Sequence, residues 1–287
     1  MIRYFAGRFA AFAAAVLVAA AIVYLFAGRG DGAPGFLPWL GGALIGNYGL
    51  SLQHESIGAL IAGALSVSVP LIVLAALLAG AIGTGVGLLA ARQPGSWVDR
   101  VLQVLVEIGV AVPNFWLGAL LALLFSATLR WLPPGGFVPW TQNPTLAFAS
   151  LILPALALAL PQAAVLARAV RGALLAASQS AYARAAQSRG LTEDEALRAH
   201  GWRNAALAVM RTLGHQLGAL IAGAMIVENV FYLSGLGRLV LDGIAAGDFA
   251  VVRSGVLVLV LLICGTLFLS QLALIWIDPR LRRSTTT

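Results

Sequence analysis

The sequence predicts an all-α integral membrane protein with six transmembrane helices. Of its 287 residues, 60% are hydrophobic and only 10% are charged, a composition too apolar for a soluble domain of this length. The chain also contains six apolar stretches of about 20 residues, and a helix of that length spans the ~30 Å hydrocarbon core of a bilayer. These stretches lie near residues 9–27, 67–91, 101–124, 146–166, 213–231 and 252–277.

The first stretch follows Arg3 and Arg8, an arrangement that a secretory signal peptide also has. Its apolar core, residues 9–27, is longer than the roughly 7–15 apolar residues of a cleaved signal. We therefore expect it to remain in the protein as the first transmembrane helix.

The second and fourth stretches carry residues that are uncommon inside helices. Gly80, Gly83 and Gly87 place small residues three and four positions apart in the second stretch, which indicates close contact with a neighbouring helix. Pro154 and Pro161 interrupt the fourth stretch. Proline is tolerated in a transmembrane helix where neighbouring helices or a water-filled path satisfy the freed backbone groups. The two prolines therefore do not exclude a span.

All 18 basic residues are arginines, and their distribution predicts the orientation of the chain. With a cytoplasmic N-terminus, 14 arginines fall on the cytoplasmic side and only Arg29, Arg130, Arg238 and Arg253 fall outside. This asymmetry satisfies the positive-inside rule with both termini cytoplasmic and an even number of spans. The net charge of +7 therefore reflects topology, and no basic module indicates nucleic-acid binding.

The most polar part of the chain, residues 171–211, lies between the fourth and fifth stretches; we call it the elbow. It predicts two short helices joined at Gly190, because glycine closes a helix in the left-handed conformation at least cost. Thr192 and Glu195 then form a capping box that opens the second helix, and Trp202 is the largest residue of its apolar stripe. Such an elbow fits either a groove on a soluble partner or a surface of anionic lipid.

Two acidic residues lie within the predicted spans, where a carboxylate usually faces a bundle interior, a partner or a water-filled path. Glu107 lies near the inner boundary and could instead pair with Arg92 or Arg100. Glu228 lies near the outer end of the fifth stretch, where a structural tie to residues 235–237 is at least as plausible as contact with a substrate. Trp116 is more typical of packing or interfacial anchoring than of a substrate platform.

Several kinds of chemistry are excluded by residue types that the sequence lacks. Without lysine there is no phosphate-binding P-loop and no Schiff-base or lysine-base mechanism. Cys264 is the only cysteine, and no set of His, Cys and acidic residues has the spacing of metal ligands. We therefore predict no catalytic residues, no metal site and no cofactor bound by this chain.

Several different short motifs lie along the chain between roughly residues 46 and 280. The elbow contains Tyr182-Ala183-Arg184-Ala185-Ala186, then Gly190, then His200-Gly201-Trp202-Arg203-Asn204-Ala205. Its flanks contain Gly95-Ser96-Trp97-Val98-Asp99-Arg100, Val112-Pro113-Asn114-Phe115-Trp116, Val227-Glu228, Gly235-Leu236-Gly237-Arg238 and Asp278-Pro279-Arg280. Together they resemble the permease subunits of binding-protein-dependent ABC importers, in particular the dipeptide, oligopeptide and nickel permease subfamily. The first elbow motif is similar to the cytoplasmic EAA loop of that family, although Arg184 replaces its glutamate and Ala208 replaces its closing proline.

The resemblance implies a type I ABC importer transmembrane domain over residues 61–280. Residues 1–60 would form a first transmembrane helix with a short periplasmic segment, and residues 281–287 a cytoplasmic tail. The elbow would be the coupling loop on the ATPase, with the residues Tyr182, Arg184, Ala185, Ala186, Gly190, Leu197, Trp202, Arg203 and Asn204. The candidate path or gate residues are Glu107, Pro113, Asn114, Trp116, Glu228, Gly235 and Gly237.

The resemblance also implies the partners. They would be a second homologous permease, two ABC ATPase subunits that use ATP and Mg, a periplasmic substrate-binding protein and the lipid of the bacterial inner membrane. Di- and oligopeptides are the expected cargo, with nickel complexes, opines or another small solute as the alternative. A stand-alone secondary transporter or channel would need an inverted repeat or a line of intramembrane charges, and the sequence shows neither. An intramembrane enzyme would need a nucleophile with its base, or a metal set.

Overall fold

The computed structural model describes residues 2–26, 35–180 and 202–277, without the side chains of residues 2–5, 202–205, 207, 208 and 275–277. Every regular element in these ranges is helical, which confirms the all-α class. The helices are α1 Ile2–Phe26, α2 Phe36–Leu44, α3 Ile57–Arg92, α4 Trp97–Ala111, α5 Asn114–Leu121 with a π-helical continuation Ala122–Thr128, α6 Pro144–Ser178, α7 Trp202–Val230, α8 Leu236–Ala246 and α9 Phe249–Ile277.

The centre of the bundle is the contact between the two longest described helices, α3 and α6. Gly83 and Gly87 of α3 lie so close to α6 that a Cβ atom at either position would meet a backbone oxygen, of Ala163 or Ala167, at 2.7 Å. A side chain at either glycine would therefore push the helices apart. The close helix contact predicted from the small residues of the second stretch is confirmed.

A shared apolar core joins α7 to this pair. Leu71, Leu151, Leu158, Leu220 and Phe231 are each at most 2% exposed and pack in one cluster. Helix α6 continues through both of its internal prolines, which are themselves buried. Neighbouring helices thus surround the positions where proline removes a backbone hydrogen bond.

Four of the described helical segments are long and apolar enough to cross a membrane: Ala6–Leu25, Ile57–Arg92, Pro144–Ser178 and Phe249–Leu274. Helices α4 and α5 would add a fifth if they form one broken span. Helix α7 contains the predicted fifth span but is not among these segments, because His215, Gln216, Glu228 and Asn229 lower its hydropathy. The helices fit a multi-pass membrane protein, but the predicted count of six spans is not confirmed by them.

The predicted third span, residues 101–124, is not a single straight helix. The segments Trp97–Ala111 and Asn114–Thr128 meet at 105°. Pro113 disfavours helical geometry at the residue before it, and Val112 accordingly has an extended conformation, with φ −79° and ψ 124°. The chain therefore forms either a broken span or a re-entrant loop at this point.

The centre of the elbow, residues 181–201, lies outside the described residues, so the two helices predicted around Gly190 are not tested. Helix α6 reaches Ser178 before it, and α7 begins at Trp202 after it. Helix α7 then runs through Ala208 into the predicted fifth span without a break. This continuity agrees with the absence of the closing proline at Ala208.

Candidate functional site

A buried carboxyl group holds together three elements at one end of the bundle. Glu228 of α7 is 1% exposed. The Ser68 hydroxyl of α3 donates to Glu228 Oε1 at 2.6 Å, and the Gly237 backbone N–H donates to Glu228 Oε2 at 2.8 Å. Ser68 Oγ in turn accepts from the Leu236 backbone N–H at 2.7 Å. We call Ser68, Glu228, Leu236 and Gly237 the Glu228 cluster; it satisfies the free N–H groups in the first turn of α8.

Two glycines make this cluster possible. A Cβ atom on Gly235 would overlap the carboxyl group of Glu228, and one on Gly237 would overlap the backbone of Met225. Both positions therefore require glycine so that α8 can approach α7. The predicted tie between Glu228 and residues 235–237 is present, while a role of these residues in a gate stays a prediction.

A second buried carboxylate, that of Asp248, stabilises the same end of the molecule. Asp248, which is 6% exposed between α8 and α9, accepts from the Leu52 N–H at 2.7 Å and from the Val251 N–H at 3.1 Å. The bond to Leu52 ties the connection between α2 and α3 to the start of α9. The two buried acidic side chains described at this end, Glu228 and Asp248, thus both accept backbone hydrogen bonds.

An arginine–carboxylate pair joins the beginning of α4 to the last two turns of α6. The break at Val112 lies at the other end of α4. Arg171 donates from Nε to Asp99 Oδ1 and from Nη2 to Asp99 Oδ2, both at 2.8 Å. The Gly95 N–H also donates to Asp99 Oδ2 at 2.8 Å. The Asp99 side chain is 1% exposed and the Arg171 side chain 23%. This two-bond geometry is the strongest and most directional form of ion pair; we call Gly95, Asp99 and Arg171 the Asp99 cluster.

A more exposed ion pair lies further along the same two helices. Arg168 of α6 donates to Glu107 of α4 at 2.9 Å, with side chains 53% and 71% exposed. The predicted alternative, in which Glu107 pairs with Arg92 or Arg100, is wrong. Arg100 instead donates to the Gly95 carbonyl oxygen. Glu107 lies about two turns further along α4 than Arg100, on the side that packs against α6.

The break between α4 and α5 borders a cleft of about 420 Å³. Among its lining residues, Asn114 and Gln162 are polar, and none carries a formal charge. The lining comprises Val110, Ala111, Val112, Pro113, Asn114, Phe115, Pro161, Gln162, Val165 and Ile226. The structure thus brings the predicted path residues Pro113 and Asn114 into a cleft, whereas Trp116 is half exposed and does not line it.

The sequence led to no site role for several residues that hold these sites, although Asp99 belongs to one of the quoted motifs and Arg171 opens the elbow: Ser68, Asp99, Gln162, Arg168, Arg171 and Asp248. One signal was available for the ion pairs. Asp99 and Glu107 are eight residues apart and share one face of a helix, and Arg168 and Arg171 are three apart on another. No comparable signal marked Ser68, because a serine inside an apolar helix commonly bonds its own backbone.

The side chains of the predicted coupling residues are not described by the structure. Tyr182, Arg184, Ala185, Ala186, Gly190 and Leu197 lie outside the described residues. Trp202, Arg203 and Asn204 lie in the first turn of α7, but their side chains are not described. Within the described ranges, no group of three or more His, Cys, Asp and Glu side chains is arranged to hold a metal ion.

Comparisons with known proteins identify the family. Residues 83–283 match the family described as "Binding-protein-dependent transport system inner membrane component". A protein of Brucella abortus (strain 2308) that carries the name of a peptide transport system permease protein is 37% identical over 231 residues, covering 80% of this chain and 74% of the relative. The oligopeptide transport system permease protein AppB of Bacillus subtilis (strain 168) is 33% identical over 251 residues, covering 86% of this chain and 79% of AppB.

A solved structure has the same fold. A chain of the MetNI methionine ABC transporter in an inward-facing conformation superposes with a TM-score of 0.62 at 18% identity, covering 76% of this chain and 96% of that chain. Permeases of the matched family work with a substrate-binding protein and an ATPase, and the ATPase is a separate component. The chain therefore belongs to the inner membrane components of binding-protein-dependent transport systems and is the permease subunit of an ABC importer.

Proposed function

We propose that this permease imports di- and oligopeptides and forms half of their translocation path. The observation that carries the proposal is the similarity over four-fifths of the chain to proteins named as peptide and oligopeptide permeases. The cleft at the α4–α5 break supports it, because its lining combines apolar side chains with two amides and no formal charge. Such a lining can accommodate peptides that differ in side-chain charge, since no fixed charge repels either sign.

The proposed topology has six crossing segments, with the broken pair α4–α5 as the third and α7 as the fifth. The two buried polar side chains of α7 that are described, Gln216 and Glu228, face protein, which is where a membrane helix can carry polar groups. Both termini and the elbow are cytoplasmic in this topology, as the arginine distribution favours. The importer domain extends over residues 61–280.

The proposed assembly contains a second homologous permease, two ATPase subunits and a periplasmic binding protein. One chain supplies one elbow, whereas a two-fold ATPase dimer offers two equivalent grooves, so a second permease is expected. ATP and Mg bind to the ATPase subunits, and this chain supplies no catalytic group. The elbow, residues 171–211, is the coupling loop in this proposal.

The Asp99 cluster gives the elbow a physical route to the cleft. Arg171 lies at the start of the elbow and about two turns before the end of α6. Its bidentate bonds fix the beginning of α4, whose other end is the break at Val112 that borders the cleft. A movement of the elbow with the ATPase would therefore displace α4 as a rigid body and change the cleft.

Uptake by the reconstituted importer tests the proposed cargo. The complex would be assembled in proteoliposomes with its cognate binding protein and supplied with labelled di- and oligopeptides, nickel complexes or opines. We expect ATP-dependent uptake of peptides. Uptake of nickel complexes or opines with no peptide uptake would contradict the proposed substrate while leaving the permease assignment intact.

A further inference from the structure

Two side-chain amides in the cleft at the α4–α5 break have no hydrogen-bond partner among the described residues. Asn114 is the first residue of α5, and Gln162 lies near the middle of α6; both are half-buried and line the cleft. The only described side-chain hydrogen bond at Gln162 goes to its backbone oxygen, and neither side-chain amide takes part in one. Because an amide removed from water without a partner is disfavoured, a ligand or water is expected beside these two.

The cleft is open to a ligand. Phe115, Val165 and Ile226 in its walls are 49%, 39% and 52% exposed, and its volume is about 420 Å³. Sites for small molecules commonly have this size. All of the lining residues lie in the described parts of the chain. A ligand can therefore reach both amides.

Helix α7 holds the two residues that carry these amides. Gln216 donates from Nε2 to the backbone oxygen of Gln162 at 2.7 Å. The Asn114 side chain lies against Gly223, where a Cβ atom would come within 2.8 Å of Asn114 Nδ2. Glycine at position 223 therefore leaves the room that the Asn114 amide occupies. Contacts with α7 thus fix both positions on the wall of the cleft.

The break also leaves backbone acceptors beside the two amides. Pro113 has no N–H group and Val112 is extended, so the last carbonyl groups of α4 lack helical donors. The carbonyl groups of Val110 and Ala111, two residues that line the cleft, take part in none of the described backbone hydrogen bonds outside the helices. Irregular backbone at membrane depth is tolerated only where it is buried in protein or lines a water-filled cavity. The break therefore faces protein or a path, and not lipid.

These groups match the main chain of a peptide. A side-chain amide both donates and accepts hydrogen bonds, and a backbone carbonyl group accepts them. A peptide presents N–H and C=O groups along its main chain whatever its side chains are. Because no lining residue carries a formal charge, the cleft has no partner for the charges of an opine or a metal complex. The groups that all peptides share are therefore the ones that it can pair.

We propose that this cleft binds the peptide main chain and that Gln162 and Asn114 determine this specificity. Their side-chain N–H groups donate to carbonyl oxygens of the cargo, and the carbonyl groups of Val110 and Ala111 accept from its N–H groups. The apolar walls contact its side chains without selecting their charge. The inference rests on the proposed peptide cargo and adds that the permease itself, and not only its binding protein, requires peptide bonds.

Uptake by the assembled importer in proteoliposomes tests the site with two cargoes, labelled trialanine and an analogue in which esters replace both peptide bonds. The same binding protein delivers both, so its own preference is equal for every variant. Gln162→Leu removes the amide and keeps a side chain of similar size; the matched control is Gln142→Leu, at an exposed glutamine outside the cleft. We expect Gln162→Leu to lower trialanine uptake per ATP hydrolysed roughly five- to tenfold, as the loss of one hydrogen bond implies, and to change uptake of the ester analogue less. Gln142→Leu should change neither.

A second variant, Asn114→Ala, should show the same selective loss, and it decides the question if Gln162→Leu assembles poorly. Equal trialanine uptake by the wild type and both variants would overturn the inference. A loss by the same factor for both cargoes would mean that the amides only support the fold, which would overturn it as well. Both of these results leave the proposed function intact. A wild type that imports no peptide would instead contradict the proposed function, and the inference with it.

Discussion

The two ends of this permease use acidic side chains in different ways. In the Glu228 cluster, a carboxyl group that is 1% exposed accepts from a serine hydroxyl and from a backbone N–H of α8. In the Asp99 cluster, a carboxylate of equal burial pairs with Arg171, whose side chain is 23% exposed. The neighbouring pair of Glu107 and Arg168 is more than half exposed on both sides.

The two clusters differ in how much movement they allow between the helices that they join. Backbone N–H groups cannot change partner without moving a helix, and Gly235 and Gly237 hold α8 in close contact with Glu228 and Met225 of α7. The Asp99 pair instead joins two helices through side chains, and the long arginine side chain allows α4 and α6 to change their relative angle while the pair stays formed. The Glu228 cluster therefore acts as a fixed support for α8, and the Asp99 cluster as a joint between α4 and α6.

The largest effect is expected for Glu228→Ala. The substitution leaves the Ser68 hydroxyl and the Gly237 N–H buried without an acceptor and opens a cavity, at a cost of about 3 kcal/mol. The yield of folded permease and its unfolding temperature should both fall. Glu228→Gln should be milder, since its amide oxygen still accepts one of the two bonds. Equal stability of wild type and Glu228→Ala would contradict the supporting role of this cluster.

A smaller loss is expected for Asp99→Ala. Arg171 then loses both of its charged hydrogen bonds, but water can reach its partly exposed side chain, so the cost should be about 2 kcal/mol. Thermal unfolding of the purified complex would measure it. A double variant that exchanges the two residues, Asp99→Arg with Arg171→Asp, should recover part of the loss. If Asp99→Ala were as stable as the wild type, the pair would contribute nothing to stability.

The smallest effect is expected for Glu107→Gln. Exposed pairs contribute about 0–1 kcal/mol and are weakened by salt. The unfolding temperature should change little, and any difference from the wild type should shrink at high salt. A loss as large as that of Asp99→Ala would mean that Glu107 has another, buried partner in the assembled importer.

The sequence predicted the helical class, the family and a close helix contact at the glycines of α3, because each depends on local composition or on motifs. It did not predict that the partner helix is α6. It did not predict the bend at Val112, since a proline inside an apolar stretch is compatible with a continuous helix, as Pro154 and Pro161 show in α6. The partners of Glu107 and Asp99 depend on how α4 packs against α6. These contacts join residues 61 and 72 positions apart. They are set by tertiary packing, which a single sequence does not reveal.

For Glu228, the sequence predicted the partner that is close along the chain but not the distant one. Its tie to residues 235–237 was expected because the two are close in sequence. Its bond to Ser68, 160 residues away, was not, although that hydroxyl also accepts from the start of α8. Local spacing thus predicted half of the Glu228 cluster, and packing supplied the rest.

The most direct test of the proposed joint is the ratio of peptide uptake to ATP hydrolysis in proteoliposomes that contain Asp99→Asn. This variant keeps the size of the side chain and weakens its grip on Arg171, and Glu107→Gln is the matched control. We predict that the ratio falls roughly fivefold or more for Asp99→Asn, the factor that corresponds to the low end of typical coupling free energies. The ratio should stay at the wild-type value for Glu107→Gln. An unchanged ratio for Asp99→Asn, in a complex that still hydrolyses ATP, would contradict the account.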